Sequence, residues 1–492
     1  MEKKPKELFT PPYPKPLSSK DGISKWEIFK RGRRSTLHTL FEGDYRKELS
    51  KIKIAGYKIY TPNSPQVIKD TLNKNYKDFP KHEFMNDMLK PLLGNSIFTS
   101  NGETWERQRR IMDIGFEKAG LKNVFKLMTE AVEAMHERLA CHPEDKPLQM
   151  DLEMTHVTAD IIMRTILSSP IKSKDALEIF HFFEEFQEKS SEINMLKMFR
   201  LPRWFSTKNY ILWRRRGRQI RKFIGDSIAE RHAEFIEKDG KTDYGDILEA
   251  LMGTEDPVTK TKFSRKELID QVAVLFLAGH ETSASALAWT FYILANQPHH
   301  ADALAAESEN IYSGEGLPDF KHVHKLKKTR DVFRETLRLY PPVTLISRQA
   351  TGKCPLGDRE LDPDDTVNIS AWLVHRREQV WSDPHCFKPE RFAEGENKNN
   401  PGAFLSFSLG PRICVGAGFA LQEAMLIIST VVRKYHLTPT PGFTPEPVAR
   451  LTLRSLNGIK VNMRRRTSPV TPSTNLDQDE DSQDKAKCPY SP

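Results

Sequence analysis

The stretch FSLGPRICVG, residues 407–416, places a single cysteine, Cys414, between glycines and two residues after an arginine. A cysteine in such surroundings is either a buried structural residue or a metal ligand. The chain has five cysteines, which are scattered and odd in number, so neither a disulfide framework nor a zinc site is indicated. The choice between the two interpretations of Cys414 therefore depends on the rest of the chain.

Composition and charge exclude several classes of protein. The 492 residues are 38% hydrophobic and 29% charged, which is ordinary for a globular protein and too polar for multiple membrane spans. The formal net charge is +9, but no nucleic-acid-binding motif is present, so we expect no nucleic-acid partner and favour an acidic protein. The N-terminus has lysines and prolines without an apolar run, which predicts a cytoplasmic protein without a signal peptide or transmembrane anchor.

The distribution of residue types predicts a mainly α protein with one large domain over residues 30–466. Residues 1–29 are rich in proline and lysine and are predicted to form an extended arm, while the acidic residues 467–492 are predicted to be disordered. Helical periodicity dominates residues 101–297, and interrupted β-branched runs after residue 341 predict short strands. A further helix is predicted over residues 419–435, followed by a hairpin around Asn457 and Gly458.

A long apolar helix with a polar interruption is predicted over residues 263–298. Ser264 and Glu267 have the spacing of a capping box at its start, and its nearly uniform apolarity predicts burial. Its centre reads AGHETS, where lipid would penalise the charged side chain, so a transmembrane span is disfavoured. Thr282 can donate a hydrogen bond to the Ala278 carbonyl and bend the helix. Alone, the motif fits a small-ligand site needing protons and a simple helix kink equally well.

A second charged motif is Glu335-x-x-Arg338, on a helix stopped by two prolines at 341 and 342. Such pairs commonly decorate solvated helix faces, where they contribute little to stability. Leucines and a tyrosine surround this pair, however, and a buried pair would need further partners. Arg391, in the stretch FKPERF, is the candidate third member.

Cys414 can be the sole protein ligand of a haem, since the porphyrin supplies four nitrogens of its own. Glycines such as Gly416 let backbone N–H groups approach the sulfur, and the helix that follows favours a thiolate at its N-terminus. Arg412 can pair with a haem propionate, and Phe407 can shield the thiolate. These neighbours favour the metal-ligand interpretation of Cys414 over the structural one.

Together the motifs resemble those of the cytochrome P450 family, the haem-thiolate monooxygenases, from about residue 30 to residue 463. They occur in the family's order and are Trp105-x-x-x-Arg109, AGHET at 278–282, Glu335-x-x-Arg338, PERF at 389–392 and F-x-x-G-x-R-x-C-x-G at 407–416. Each motif except the last is weak alone, whereas the ordered set is specific. One departure is Ser406, where the family often has proline, and we expect no functional consequence from it.

The resemblance implies a single large P450 fold with a small β-rich lobe, a haem b cofactor and a role for each matching residue. Cys414 would be the proximal iron ligand, while Thr282 would deliver protons and Glu281 would link it to solvent. Ala278 would lie over the haem, and Gly279 would leave room for dioxygen. The residues implied to hold the propionates are Trp105, Arg109, Arg348 and Arg412.

The implied activity is insertion of one atom of dioxygen into a lipophilic substrate such as a fatty acid, a terpenoid or a steroid-like molecule. A separate ferredoxin, flavodoxin or reductase would supply electrons, docking on the cysteine side near Lys388, Arg391 and Arg412. The motifs look more like the eukaryotic-type and fatty-acid-hydroxylating branches than the camphor-type bacterial ones. The alternatives are a peroxygenase and an oxygen-independent isomerase or dehydratase, and a non-catalytic haem binder is the least favoured.

The resemblance also maps substrate contacts onto four apolar regions. They are the loop 76–98, a helix with Phe180, Phe182, Phe183 and Phe186, the pair Val343 and Leu345, and residues 451–453. The phenylalanines of the helix could equally belong to the hydrophobic core. The apolar character of all four regions favours a lipophilic substrate.

Overall fold

The structure is a computed structural model that describes residues 8–18, 22–54, 56–170, 207–314, 316–395 and 400–467. Two predictions lie outside these ranges. They are the helix with Phe180, Phe182, Phe183 and Phe186, and the acidic tail beyond Thr467. The described residues are mainly helical with a smaller number of short strands, so the predicted fold class is confirmed.

The helices account for most of the described chain. In chain order they are α1 (Lys25–Arg34), α2 (Glu42–Arg46), α3 (Pro65–Lys69), α4 (Glu83–Leu93), α5 (Gly102–Ala119), α6 (Leu121–Ala140), α7 (Met150–Leu167), α8 (Thr207–Glu237), α9 (Ile247–Gly253), α10 (Arg265–Asn296), α11 (Pro298–Ile311), α12 (Phe320–Val323), α13 (Lys327–Leu339), α14 (Ala371–Val374), α15 (Glu390–Ala393) and α16 (Ala417–Lys434). The predicted helix over residues 419–435 corresponds to α16, which begins two residues earlier.

The strands form small sheets at the edge of the helical body. They are β1 (Leu49–Ile54), β2 (Tyr57–Pro62), β3 (Leu148–Gln149), β4 (Leu345–Gln349), β5 (Cys354–Leu356), β6 (Arg359–Leu361), β7 (Thr366–Ser370), β8 (Tyr435–Pro439), β9 (Pro447–Ala449), β10 (Leu453–Ser455) and β11 (Lys460–Arg465). The largest sheet has the order β1-β2-β7-β4, in which only the β2–β7 pair is parallel. Strands β3, β11 and β8 form a second sheet, while β9 pairs with β10 and β5 with β6.

Helix α10 is the central element of the fold. Ser264 and Glu267 form the predicted capping box, in which each side chain accepts the other residue's backbone N–H, at 3.3 and 2.9 Å. The helix is buried along nearly its whole length and packs against α7, α8 and α13, as its apolar composition predicts. Within the described ranges, no helix combines the length and apolarity needed to cross a membrane.

The N-terminal arm is shorter than predicted. Residues 8–18 run outside any helix and lie against the body, where the Phe9 carbonyl accepts the Phe387 N–H at 2.8 Å. The Pro12 carbonyl accepts the hydroxyl of the buried Tyr340 at 2.6 Å. The predicted boundary at residue 29 is wrong, because Ser24 caps α1 and the helix begins at Lys25.

The predicted hairpin around Asn457 and Gly458 is also wrong. The strand before this turn, β10, pairs with β9, whereas the strand after it, β11, pairs with β8 and β3. The Asn457 side chain bonds to the backbone of Thr444 and Glu446 at 2.9 Å each, which directs the chain from one sheet into the other. Asn457 and Gly458 therefore form a turn as predicted, but this turn connects two different sheets and not two paired strands.

The predicted charge cluster of Glu335, Arg338 and Arg391 is fully buried. Both carboxylate oxygens of Glu335 accept from Arg338 at 2.7 Å, and Arg391 donates to Oε1 at 3.1 Å. All three side chains are 0% exposed, and Arg338 donates further to the carbonyls of His375, Pro384 and Cys386, so the required additional partners are present. Arg391 therefore cannot touch a docking protein, and its predicted place in a donor-binding surface is wrong.

Glu335→Gln is expected to lower the free energy of unfolding by about 3–5 kcal/mol, because two buried guanidinium groups lose their counter-charge. The measurement is urea unfolding followed by circular dichroism. The matched control is Glu360→Gln, since Glu360 is 68% exposed and pairs only loosely with Lys353 on the surface. Its effect should stay below about 1 kcal/mol. Equal effects of the two substitutions would contradict the structural role of the cluster.

Candidate active site

Accessible residues inside otherwise buried elements mark an internal space. In α10, Ala278 is exposed and Gly279 and Thr282 are half-buried, although most of the surrounding helix is buried. Cys414 lies deep inside the protein and yet is exposed, so its sulfur borders an internal space and not bulk solvent. The residues predicted for the two sides of a haem are thus both left uncovered by the protein.

The loop before Cys414 is held by its backbone. The Cys414 N–H donates to the Phe407 carbonyl at 2.9 Å and closes the loop. Gly410 has φ +71°, and a Cβ there would collide with the carbonyl oxygen of Leu72, so only glycine fits. A Cβ at Gly416, by contrast, would meet no atom within 4 Å, which leaves open space beside the cysteine.

Opposing effects act on the pKa of the Cys414 thiol. Burial raises the pKa of the Cys414 thiol, while the Gly416 N–H and the positive charge of Arg109 act to lower it. Helix α16 begins three residues later at Ala417, so its N-terminal dipole also favours a negative charge on the sulfur. A bound cation would overcome the cost of burial that remains.

The buried Arg348 and the half-buried Arg412 lie together near the cysteine loop without an ion pair to any described residue. Burial, together with the nearby charge of Arg412, lowers the pKa of Arg348 to about 9. Burial likewise lowers the pKa of Arg412, and Nε of each residue has no hydrogen-bond partner. Like charges in such a position require an anion from outside the chain, and the two carboxylates of a haem fit this requirement.

Lys81 belongs to this cationic group, although no sequence motif includes it. Burial lowers the pKa of Lys81 well below its usual value, and the charges of Arg412 and Arg348 contribute. Its Nζ donates to the Ile97 carbonyl at 2.6 Å and lies 5.9 Å from the centre of the Trp105 ring. The sequence around Lys81 offers no signal that separates it from exposed lysines such as Lys77, because its burial depends on tertiary packing.

Trp105 and Arg109, both on α5, contact the cysteine loop in different ways. The buried Trp105 ring lies 5.0 Å from the Arg412 guanidinium, so it belongs to the cationic group around Arg348. Arg109 donates to the Ile413 carbonyl and pairs with Asp113 at 2.8 Å. Arg109 therefore already has partners within the chain beside Cys414, and its predicted contact with a propionate stays a prediction.

The polar interruption of α10 is stabilised by local contacts. Thr282 donates to the Ala278 carbonyl at 2.6 Å, which confirms the predicted bond. A Cβ on Gly279 would collide with the Ile162 side chain, so a larger residue here would force that side chain of α7 to move. The predicted role of Gly279 in making room for dioxygen stays a prediction.

Glu281 is 1% exposed and is bound by a partner that no sequence motif predicts. Arg454 forms a two-point ion pair with its carboxylate, and the Thr452 hydroxyl donates to Oε1 at 2.5 Å. Burial acts to raise the pKa of Glu281, but Arg454 and the other donors outweigh burial and hold that pKa below its usual value. Glu281 is therefore ionised, and the Arg454 side chain that pairs with it is 30% exposed. The predicted link from Glu281 to solvent stays a prediction.

Comparison with known proteins agrees with this arrangement. Residues 25–462 match the family model for cytochrome P450, so the chain belongs to the cytochrome P450 family. Members of this family are monooxygenases, a class of oxidoreductase, and they hold haem iron through a cysteine thiolate. A crystal structure of the cytochrome P450DA heme domain has the same fold, with a TM-score of 0.75 over 85% of this chain and 90% of that chain at 21% identity.

Curated relatives come from bacteria, plants and animals. Cyclooctatin synthase of Streptomyces melanosporofaciens is 29% identical, over 84% of this chain and 88% of its own length. A cytokinin hydroxylase of Arabidopsis thaliana is 27% identical over 81% of this chain and 78% of its own length. Human cytochrome P450 4A11 is 28% identical over 79% of this chain and 77% of its own length.

Lys81→Met is expected to speed haem loss about tenfold, because the cationic group loses one charge that would face a haem carboxylate. The measurement is the rate of haem transfer to excess apomyoglobin, which does not depend on turnover. Lys77→Met is the matched control, since Lys77 lies on the same segment with 73% of its side chain exposed. Equal rates of haem loss in the two variants would contradict this role of Lys81.

Proposed function

We propose that this chain inserts one atom of dioxygen into a lipophilic organic substrate, such as a fatty acid, a terpenoid or a steroid-like molecule. The observation that carries the proposal is the position of Cys414, which is deep in the protein and uncovered toward an internal space. The adjacent cations Arg348 and Arg412 lack an anionic partner among the described residues, as expected for residues that meet haem carboxylates.

In this proposal each residue of the site holds or orients the cofactor. Cys414 is the metal ligand, and Phe407 and Gly416 support it through the backbone contacts of its loop. The carboxylates of haem b would be bound by Arg348, Arg412, Trp105, Arg109 and Lys81. When bound, haem supplies the redox-active iron that activates dioxygen.

Protons are handled by two neighbouring residues of α10. The Thr282 hydroxyl donates to the Ala278 carbonyl, so its oxygen is free to accept a hydrogen bond from the internal space that it borders. Glu281 is ionised and can take up a proton from solvent through the edge at Arg454. We infer that Glu281 recharges Thr282 and that Thr282 passes the proton on.

A lipophilic substrate is supported by large apolar side chains that the protein leaves uncovered. Phe98, Val343 and Leu345 are 42%, 38% and 38% exposed, and all three lie in regions that the family resemblance maps to substrate contacts. The relatives are named for different activities, cyclooctatin synthesis and cytokinin hydroxylation, so their names do not narrow the class of lipophilic substrates.

An external electron donor would approach the cysteine side. Gly418, four residues after Cys414, packs against Leu121 at the start of α6, and the exposed Lys118 and Lys122 flank this leucine. They give a basic surface suited to an acidic ferredoxin, flavodoxin or reductase, and Lys388 stays a predicted member of it. These lysines replace the buried Arg391 in the proposed docking surface.

The ligand assignment is tested by the absorption spectrum of the reduced, carbon monoxide-bound protein. The protein and the control Cys141→Ser, which changes an exposed cysteine, should show the long-wavelength Soret band of thiolate ligation. Cys414→Ser should bind haem and lose this band. Absence of the band from the folded, haem-loaded parent protein, or its persistence in Cys414→Ser, would overturn the assignment.

Thr282→Ala is expected to release at least about threefold more peroxide per electron consumed, because protons are no longer delivered in place. The measurement compares peroxide and product with the electrons taken from the donor. Thr282→Ser keeps the hydroxyl and should keep the coupling. If Thr282→Ala is as well coupled as the parent, and peroxide alone supports turnover, the chain is a peroxygenase and the proposal fails.

A further inference from the structure

The short β-hairpin of β9 and β10 is attached to α10 at the point where the helix carries its acidic residue. In this hairpin Leu453 pairs with Ala449 and Ser455 pairs with Pro447. The contacts with α10 are made by β10 and by the residue before it. Thr452 directly precedes β10, and Arg454 lies within it. Both side chains bind one carboxylate, that of Glu281.

The attachment involves both oxygens of Glu281. Oε1 accepts from the Thr452 hydroxyl and from Arg454 Nε at 2.5 Å each, and Oε2 pairs with the second guanidinium nitrogen of Arg454. One turn further along α10, the Ser285 hydroxyl donates to the Leu453 carbonyl. The helix thus holds Thr452 and the first two residues of β10, Leu453 and Arg454, through two of its own side chains.

The strand is also held from the other side. The Leu453 N–H donates to the Pro342 carbonyl at 2.8 Å, and the Leu453 side chain is 0% exposed. The residues after Pro342 include Val343 and Leu345, whose side chains are both 38% exposed. The strand therefore lies between the helix that borders the internal space and an uncovered apolar segment, where it can form part of a pocket wall.

The charge on Glu281 makes this attachment strong. The carboxylate is 1% exposed, so an ionised form without a counter-charge would be costly. Arg454 supplies that charge while 30% of its own side chain remains exposed, so it loses less hydration than Glu281. Moving the strand away from α10 would leave a buried negative charge unpaired, and the ion pair therefore opposes that movement.

We propose that Glu281 fixes β10 as one wall of the substrate pocket and that Arg454 is the positioning residue through which it acts. The attachment of β10 to α10 follows from the contacts alone, whereas the assignment of β10 to a pocket wall rests on the proposed function. The carboxylate then has a task besides proton transfer, since it sets the shape available to the substrate. Loss of either partner should loosen the strand and change which molecules fit.

The first test is hydrogen–deuterium exchange of the haem-loaded protein over residues 447–456. Arg454→Met and Glu281→Gln should each speed exchange of the Leu453 amide about tenfold, and the double variant should add little to either. Arg454→Lys should restore part of the protection. The control Arg359→Met, on the exposed edge of β6, should leave this amide unchanged. Unchanged exchange in both single variants would overturn the inference.

A variant with a milder change covers the case in which Arg454→Met does not fold. Thr452→Val keeps the side-chain shape and removes one hydrogen bond to Glu281, so exchange should rise by about threefold. Exchange at α6, which is remote from the attachment, should stay unchanged if the effect is local. A uniform increase over the whole protein would show general destabilisation and would contradict a specific role of Arg454.

The second test measures the shape of the pocket without turnover. Imidazole and 4-phenylimidazole both bind haem iron through nitrogen, but only the latter extends a ring toward the pocket walls. In Arg454→Met the ratio of their dissociation constants should change by about three- to tenfold. An unchanged ratio together with loosened exchange would show that β10 is not a pocket wall. This outcome would overturn that part of the inference while leaving the monooxygenase proposal intact.

Discussion

The organisation of the site depends on the need of each polar group in α10 to find a partner inside the core. His280 binds the Phe276 carbonyl at 2.6 Å and Thr282 binds the Ala278 carbonyl, so both are satisfied within the helix. Glu281 carries a full negative charge, which a bond within its own helix would not balance. It is instead paired with Arg454 from a distant strand. The hairpin, the helix and the internal space are consequently arranged around one carboxylate.

Two groups of buried charge in this protein differ in how they are balanced. Around Glu335 the carboxylate and the two arginines neutralise one another and bind surrounding carbonyls, so this group is complete within the chain. Arg348 and Arg412 have no ion pair to a described residue, and burial is the main cause that lowers the pKa of each. The contrast separates a cluster that stabilises the fold from one arranged to receive an anionic group.

Features encoded by nearby residues could be predicted from the sequence, whereas those that depend on distant partners could not. The capping box of α10 and the Thr282 bond involve residues three or four positions apart, and both were predicted. Arg454 lies 173 positions from Glu281, and their meeting depends on how β10 is placed. The burial of Lys81 has the same origin, since no local pattern separates it from an exposed lysine. The cysteine motif predicted the chemistry because its spacing is long and specific.

The contacts of the N-terminal arm impose an order on the folding of this chain. Thr10 lies 3.3 Å from Cys386, a separation of 376 positions, and the neighbouring Phe9 binds Phe387. During synthesis the arm leaves the ribosome well before residues 386 and 387, so its binding surface is completed only later. The Tyr340 hydroxyl, which Pro12 satisfies, must likewise wait for the two segments to meet. Closing so long a loop is slow relative to local helix formation, so the arm docks late in folding.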